Sequence, residues 1–161
     1  MQKNNVDLRK ITLNDDLKGL DLLKEITKQE NGLYSSPVPL EINEYLYTGF
    51  LKLSVDEENE DKCFRYWILS DNEIVGYSDI KIEIKNNKRI GNIGLILSEN
   101  SRGMKIGYES FKLLLKKAKE EAKVDNITIT TKKENIPMQK LCEKLGATII
   151  DEDENINYII K

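Results

Sequence analysis

The chain switches between two hydrophobic rhythms, a period of two and a period near 3.6, and the switches set out its elements. Residues 6–11 read as a first strand. Leu17, Leu20, Leu23 and Ile26 then fall on one helical face, with Asn14 placed to cap the helix, Asp15 and Asp16 near its positive end, and Asn31-Gly32 placed to stop it. A loop holding Pro37 and Pro39 leads into a second helix, whose stripe is Ile42, Leu46, Gly49, Phe50 and Leu53. The acidic run 56–61 reads as a solvated connector. Residues 63–69, residues 73–85 and the strand starting at Ile90 form an antiparallel meander, turned at Asp71-Asn72 and Asn86-Asn87. In its middle strand Ile80, Ile82 and Ile84 alternate with Lys81, Glu83 and Lys85, so one face is buried and the other wet.

The stretch 90–122 organises the rest. Gly94-Leu95-Ile96-Leu97 suits a buried strand, whereas Ile106, Ser110, Phe111, Leu114, Ala118 and Ala122 recur at helical spacing, with Lys112, Lys116, Lys119 and Lys123 on the outer face. Between strand and helix, Gly103 and Gly107 remove side chains just where the first helical turn has N–H groups without intrahelical acceptors and a partial positive charge. Such a turn suits a pyrophosphate. It is not a Walker loop, because no Gly-Lys-Ser/Thr follows, and it lacks the three-glycine spacing of a dinucleotide fold. Residues 126–131 form the next strand, and a strand, a long helix and a strand make a right-handed crossover, so the two strands should be parallel. A short helix follows, with Pro137 near its start, Leu141 and Leu145 facing inward and Gly146 just past its end. Residues 148–150 and 156–160 close the sheet.

Length and composition narrow the classes. The 161 residues suit a single domain spanning 1–161. A net charge of -3 with dispersed basic residues gives nothing to attract nucleic acid or an anionic membrane. The opening lacks the apolar core of a signal peptide and no apolar run approaches the roughly 20 residues that span a bilayer, so a cytoplasmic location is expected. Cys63 and Cys142 are too few and too far apart in sequence for a disulfide framework or a zinc site. The chain has no histidine, so any acid or base must be Asp, Glu, Tyr, Cys, Lys or water, and no metal is expected.

Arg102-Gly103-Met104-Lys105-Ile106-Gly107 resembles the acyl-CoA pyrophosphate loop of the GNAT acetyltransferase superfamily: Arg or Gln, two residues, Gly, one residue, Gly or Ala. Arg102 and Gly107 match the ends, and Lys105 stands where the middle glycine is usual. Asn135 and the segment through Gly146, a helix ending in Glu-Lys-Leu-Gly, resemble the family's second motif. Segments 74–84 and 91–103 look like a bacterial branch with few assigned substrates, with Glu99 where that branch has proline. The resemblance covers nearly the whole chain. It implies an α/β (α+β) fold: a mixed, mainly antiparallel sheet of six or seven strands with about four helices and a central parallel pair.

It also implies acetyl-CoA as cosubstrate and transfer of the acetyl group directly to an amine of a small molecule or protein. Main-chain groups of Leu97 and Ser98 would pair with the pantetheine arm, N–H groups of Arg102, Gly103, Met104, Lys105, Ile106 and Gly107 would hold the pyrophosphate, and Asn135 would touch the arm from the other side. The family's usual proton-accepting Glu corresponds to Asn92, and its usual Tyr beside the leaving sulfur to Cys142. Tyr108, Cys142, Asp79 and Glu83 are the remaining catalytic candidates. The unidentified acceptor would lie against segment 33–50, where Tyr34, Tyr45 and Tyr47 could shape the wall. Asn92 and Cys142 together leave open a second reading, an acyl-CoA-binding regulatory or scaffolding domain without chemistry.

Overall fold

A computed structural model describes residues 5–28, 41–103 and 105–160. The elements run β1 (Val6–Lys10), α1 (Lys18–Thr27), α2 (Glu44–Asn59), β2 (Cys63–Ser70), β3 (Glu73–Lys85), β4 (Lys88–Leu97), α3 (Ile106–Glu120), β5 (Asn126–Lys132), α4 (Ile136–Lys144), β6 (Thr148–Glu152) and β7 (Asn155–Ile160). The strands make one sheet in the order β1-β2-β3-β4-β5-β7-β6. Within it β4 and β5 pair in parallel and every other neighbouring pair is antiparallel. The β2–β3 and β3–β4 hairpin turns each carry two consecutive positive-φ residues, Asp71-Asn72 and Asn86-Asn87, which matches the right-handed twist of the flanking strands.

Each face of the sheet has its own core. On one, α3 lays Ile106, Phe111, Leu114 and Ala118 on Leu8, Tyr66, Ile80, Ile93 and Ile127, and Cys142 of α4 joins them. On the other, α1 and α2 cover Trp67, Leu69, Tyr77 and Ile96. Trp67 is fully buried, and its Nε1–H donates to Asp15 Oδ2 at 2.9 Å. Leaving that donor without a partner would cost about 1–3 kcal/mol, so Asp15 ties the loop before α1 to the sheet.

Local periodicity misleads in several places. Asn14 does not cap α1, whose N-cap is Leu17 without a side-chain bond; Leu17 is itself half-exposed. In α2 the cap is Asn43, accepting from the Leu46 amide at 2.9 Å. Its buried face is Tyr47, Phe50, Leu51 and Ser54, while Leu46, Gly49 and Leu53 of the expected stripe point outward. The helix takes in most of the acidic run, whose carboxylates form ion pairs across the molecule: Glu57 with Arg65, Glu58 with Lys10, Asp61 with Arg89. Ile84, expected on the buried face of its strand, is exposed near the β3–β4 turn. In α4 it is Cys142 that is fully inside, and Leu141 and Leu145 are half-buried. Asn31, Gly32, Pro37 and Pro39 lie outside the described residues.

Candidate functional site: a gap through the sheet

The parallel ladder between β4 and β5 is short. Ile90, Gly91 and Asn92 pair with Asn126, Ile127 and Thr128, and there the pairing ends. Beyond it lies a cavity of about 310 Å³ lined from one face by Asn92, Thr130 and Asp79 and from the other by Phe111, Ile129 and Met138. The gap therefore runs from a polar face of the sheet to the face that carries α3 and α4. A second cavity of about 480 Å³ shares Leu95, Ile96, Asn135 and Met138 with the first and continues outward to Gly103, Lys105 and Gly107 at the start of α3.

Backbone direction follows from the register. The Ser98 amide donates to Val75 O at 2.8 Å, which fixes the alternation along β4: even-numbered residues pair with β3, and odd-numbered ones present N–H and C=O toward β5. Main-chain groups of Ile93 and Leu95 thus face the gap where the ladder has stopped. The Ser98 carbonyl accepts from the Ser101 amide at 3.0 Å, so both of its main-chain groups are bonded within the fold. Leu97 faces the gap side, where its carbonyl receives Arg102 Nη2 at 3.4 Å. Leu95 was not foreseen. Strand parity cannot be read until the partner strand sets it.

At the outer end, the first α3 backbone bond runs from the Glu109 amide to Lys105 O, so the amides of Ile106, Gly107 and Tyr108 have no intrahelical acceptor. Lys105 adopts φ 64° and ψ 6°, the left-handed conformation in which glycine is at no disadvantage. A Cβ at Gly107 would meet only Leu141 and Leu97 methyls at 3.8 Å, so the position opens into the groove. Met104 lies outside the described residues, and the Ile106 side chain belongs to the core. The described lining contains Arg102, Lys105, Lys140 and Lys144 and no carboxylate. Lys140 and Lys144 were missed by the sequence reading, although they stand with Pro137 at helical spacing on α4. An apolar slot ending in cations and open amides fits a long uncharged arm terminated by a diphosphate.

Asn135 is buried and caps α4, its Oδ1 accepting from the Met138 amide at 3.3 Å while the residue lines both cavities. Cys142, which stands where the family's tyrosine is usual, is fully buried in the core, and burial pushes its thiol up to about 12. The apolar α4 side chains on the groove are Pro137, Met138 and Leu141. Tyr108 stands at the mouth, its ring flanked by Lys112 and Lys144 nitrogens at 4.8 and 4.1 Å. Glu83 is exposed opposite Ile90, before the gap begins. Asn92 donates to Thr128 Oγ1 at 3.0 Å. Tyr47, expected on an acceptor wall, is buried, and its hydroxyl donates to Asp16 O at 2.6 Å. Tyr45 is 84% exposed, and Tyr34 lies outside the described residues.

Residues 5–148 match the profile of the acetyltransferase (GNAT) domain. The chain belongs to the GNAT acetyltransferase family. No curated protein matches it in sequence. Among solved GNAT-fold structures it is similar to RimL, the ribosomal L7/L12 alpha-N-protein acetyltransferase in complex with coenzyme A (15% identity, 96% of this chain and 93% of that one, TM-score 0.80). It is similar to the microcin C7 self-immunity acetyltransferase MccE in complex with acetyl-CoA and AMP (15%, 96% and 91%, TM-score 0.80). The same holds for the N-acetyltransferase PseH of Campylobacter jejuni in complex with acetyl coenzyme A (19%, 98% and 99%, TM-score 0.70). At such identities the likeness is one of fold. No described helix is long and apolar enough to cross a membrane, and no metal-binding cluster occurs among the described residues.

Proposed function

We propose that this GNAT protein is an acetyl-CoA-dependent N-acetyltransferase that moves the acetyl group directly to an amine. The observation that carries the reading is the continuity of the cationic groove at the α3 start with the gap between β4 and β5, which reaches the opposite, polar face. Acetyl-CoA entering from the α3–α4 side would place its thioester where an acceptor on the other side can meet it. When bound, it supplies the activated acetyl group.

The chain's own contribution is chiefly to hold and orient. Open amides of Ile106, Gly107 and Tyr108, with Arg102 and Lys105 nearby, receive the diphosphate. Leu95 main-chain groups and Asn135 flank the arm from β4 and α4. An N–H of β4 directed into the gap polarises the reacting carbonyl, and alignment of two bound reactants lowers the barrier further. Thiols have a pKa of about 8.5, so sulfur departs as thiolate near neutral pH without a side-chain acid. The withdrawal of Cys142 from the groove therefore does not prevent turnover.

The test is a thermal shift with acetyl-CoA, followed by thiol release and product mass spectrometry with benzylamine, spermidine, glucosamine and a peptide bearing a free amino terminus. Stabilisation by acetyl-CoA with acetylation of one of these amines is the expected result. Stabilisation without acetylation of any amine favours the alternative, a binding domain without chemistry, which Asn92 in place of a carboxylate supports. Absence of stabilisation removes both.

A further inference from the structure

Asp79 is the only carboxylate among the described residues lining the gap. The period of two in β3 puts Tyr77, Asp79 and Lys81 on one face, opposite Ile96, Gly94 and Asn92 of β4. Gly94 decides the access. A Cβ there would stand 3.6 Å from Asp79 Oδ1, so the missing side chain leaves room beside that oxygen. The other oxygen, Oδ2, is held: it accepts from the Tyr77 hydroxyl at 2.8 Å. That hydroxyl accepts from Arg65 Nε at 3.1 Å, and Arg65 Nη2 pairs with Glu57 at 2.6 Å. A continuous polar chain thus runs from α2 through β2 to the one carboxylate at the gap.

The geometry points to Asp79 as the base that takes the proton from the acceptor amine, with Tyr77, Arg65 and Glu57 as its positioning residues; this rests on the acetyl transfer proposed above. An alkylamine is an ammonium near neutral pH and has no lone pair to attack with. It gives one proton to the Asp79 carboxylate, and the freed pair forms the bond between nitrogen and the acetyl carbon. The carbon–sulfur bond breaks, its electrons stay on sulfur, sulfur takes the second nitrogen proton, and Asp79 releases its own proton to solvent. Asn92 cannot accept a proton in this way, and its amide is committed to Thr128.

The surroundings suit the task. Burial raises Asp79 above the ordinary carboxylate range, Lys81 on β3, the Tyr77 hydroxyl and Arg65 on β2 pull it down, and Glu57 on α2 adds to the rise. Cys63 on β2 also faces this group, as a neutral thiol that burial holds near 12, and β4 contributes only uncharged Gly94 and Asn92. A base whose pKa moves toward the working pH is a better proton acceptor than an ordinary carboxylate.

The test compares wild type, Asp79→Asn and Tyr77→Phe, using acetyl-CoA and whichever of the four amines above the wild type acetylates. Wild-type kcat/KM should fall on the acid side as Asp79 is protonated. Asp79→Asn should keep its thermal shift with CoA, lose about 10²- to 10⁴-fold in kcat/KM, and lose that acid limb. Tyr77→Phe removes a bond that favours the carboxylate and positions it, so its acid limb should move to higher pH. An Asp79→Asn enzyme within threefold of wild type, or one keeping the same acid limb, overturns the assignment. Loss of CoA binding in Asp79→Asn makes the residue structural and overturns it too. A wild type that binds acetyl-CoA and acetylates no amine refutes the transfer reading itself, and the base falls with it.

Discussion

Lys105 stands where the family's middle glycine is usual, and the structure gives it the backbone that glycine would have, φ 64° and ψ 6°. The informative perturbation is a pair, Lys105→Gly and Lys105→Ala, since both remove the ammonium and only one removes Cβ. An L-residue in this conformation carries a cost of about 1–2 kcal/mol from contact of Cβ with the following carbonyl. Glycine escapes that cost but loses more freedom on folding, about 0.4–1 kcal/mol relative to alanine. The difference favours the glycine variant by roughly 0.8 kcal/mol, which for a chain of this length moves the melting temperature by about 2–3 °C. Thermal unfolding of the two variants in the same buffer measures it. CoA affinity supplies the second half: if Lys105 acts as a point charge on the diphosphate, both variants weaken by the same factor, and the loss shrinks as salt is added. An alanine variant as stable as the glycine variant would refute the left-handed assignment, and unequal CoA losses would mean that backbone, not charge, sets binding at this position.

Gly107→Glu should abolish stabilisation by CoA, a shift worth about 2.7 kcal/mol at a hundredfold excess over Kd, while the apo protein still unfolds cooperatively. Lys116→Glu on the exposed face of α3 is the matched control, and equal loss in both would point to bulk charge over a built site. Because folding raises the Asp79 pKa, the folded chain holds that proton to higher pH than the unfolded chain does, and stability falls as pH rises from the unfolded value of about 3.9 through the folded one. Asp79→Asn should therefore exceed wild type in stability at pH 7 to 8, with the gain shrinking as the pH is lowered through that window; denaturant melts at several pH values test this, and a pH-independent difference would contradict it. Cys63 and Cys142, both buried with thiols near 12, should resist a disulfide reagent until the chain unfolds. Cys142→Ala should cost less than about tenfold in turnover, and recovery of acetylated Cys142 without acceptor would overturn direct transfer.

Much of the architecture was legible along the chain. The alternation in 73–85, the helical spacing from Ile106 to Ala118 and the strand–helix–strand order are each properties of one element or of adjacent ones, and each stands in the structure as β3, α3 and the parallel β4–β5 pair. The glycines and Arg102 at the α3 start were legible for a similar reason: open amides and a helix dipole are local to the first turn.

What needed the tertiary structure was every question of direction. α2 carries apolar residues on more than one face, so its own period could not say that Tyr47 and Phe50 go inward while Leu46 and Leu53 stay out; the sheet it rests on decided that. Which β4 amides look into the gap depends on a register set by β3, and a shift of one residue would turn Gly94, Ile96 and Ser98 toward the gap in place of Ile93, Leu95 and Leu97. In the sequence Asp79 is one of four catalytic candidates, with nothing in its own strand to set it apart from Glu83. Its distinction arises because Gly94 and Arg65 meet it across two strand pairings, with Tyr77 two residues before it on its own strand, and because burial, which no local pattern reports, changes the price of its charge. A linear pattern records how an element divides its own faces; which neighbour each face meets is settled by packing, and the chemistry of a buried group follows from the neighbour.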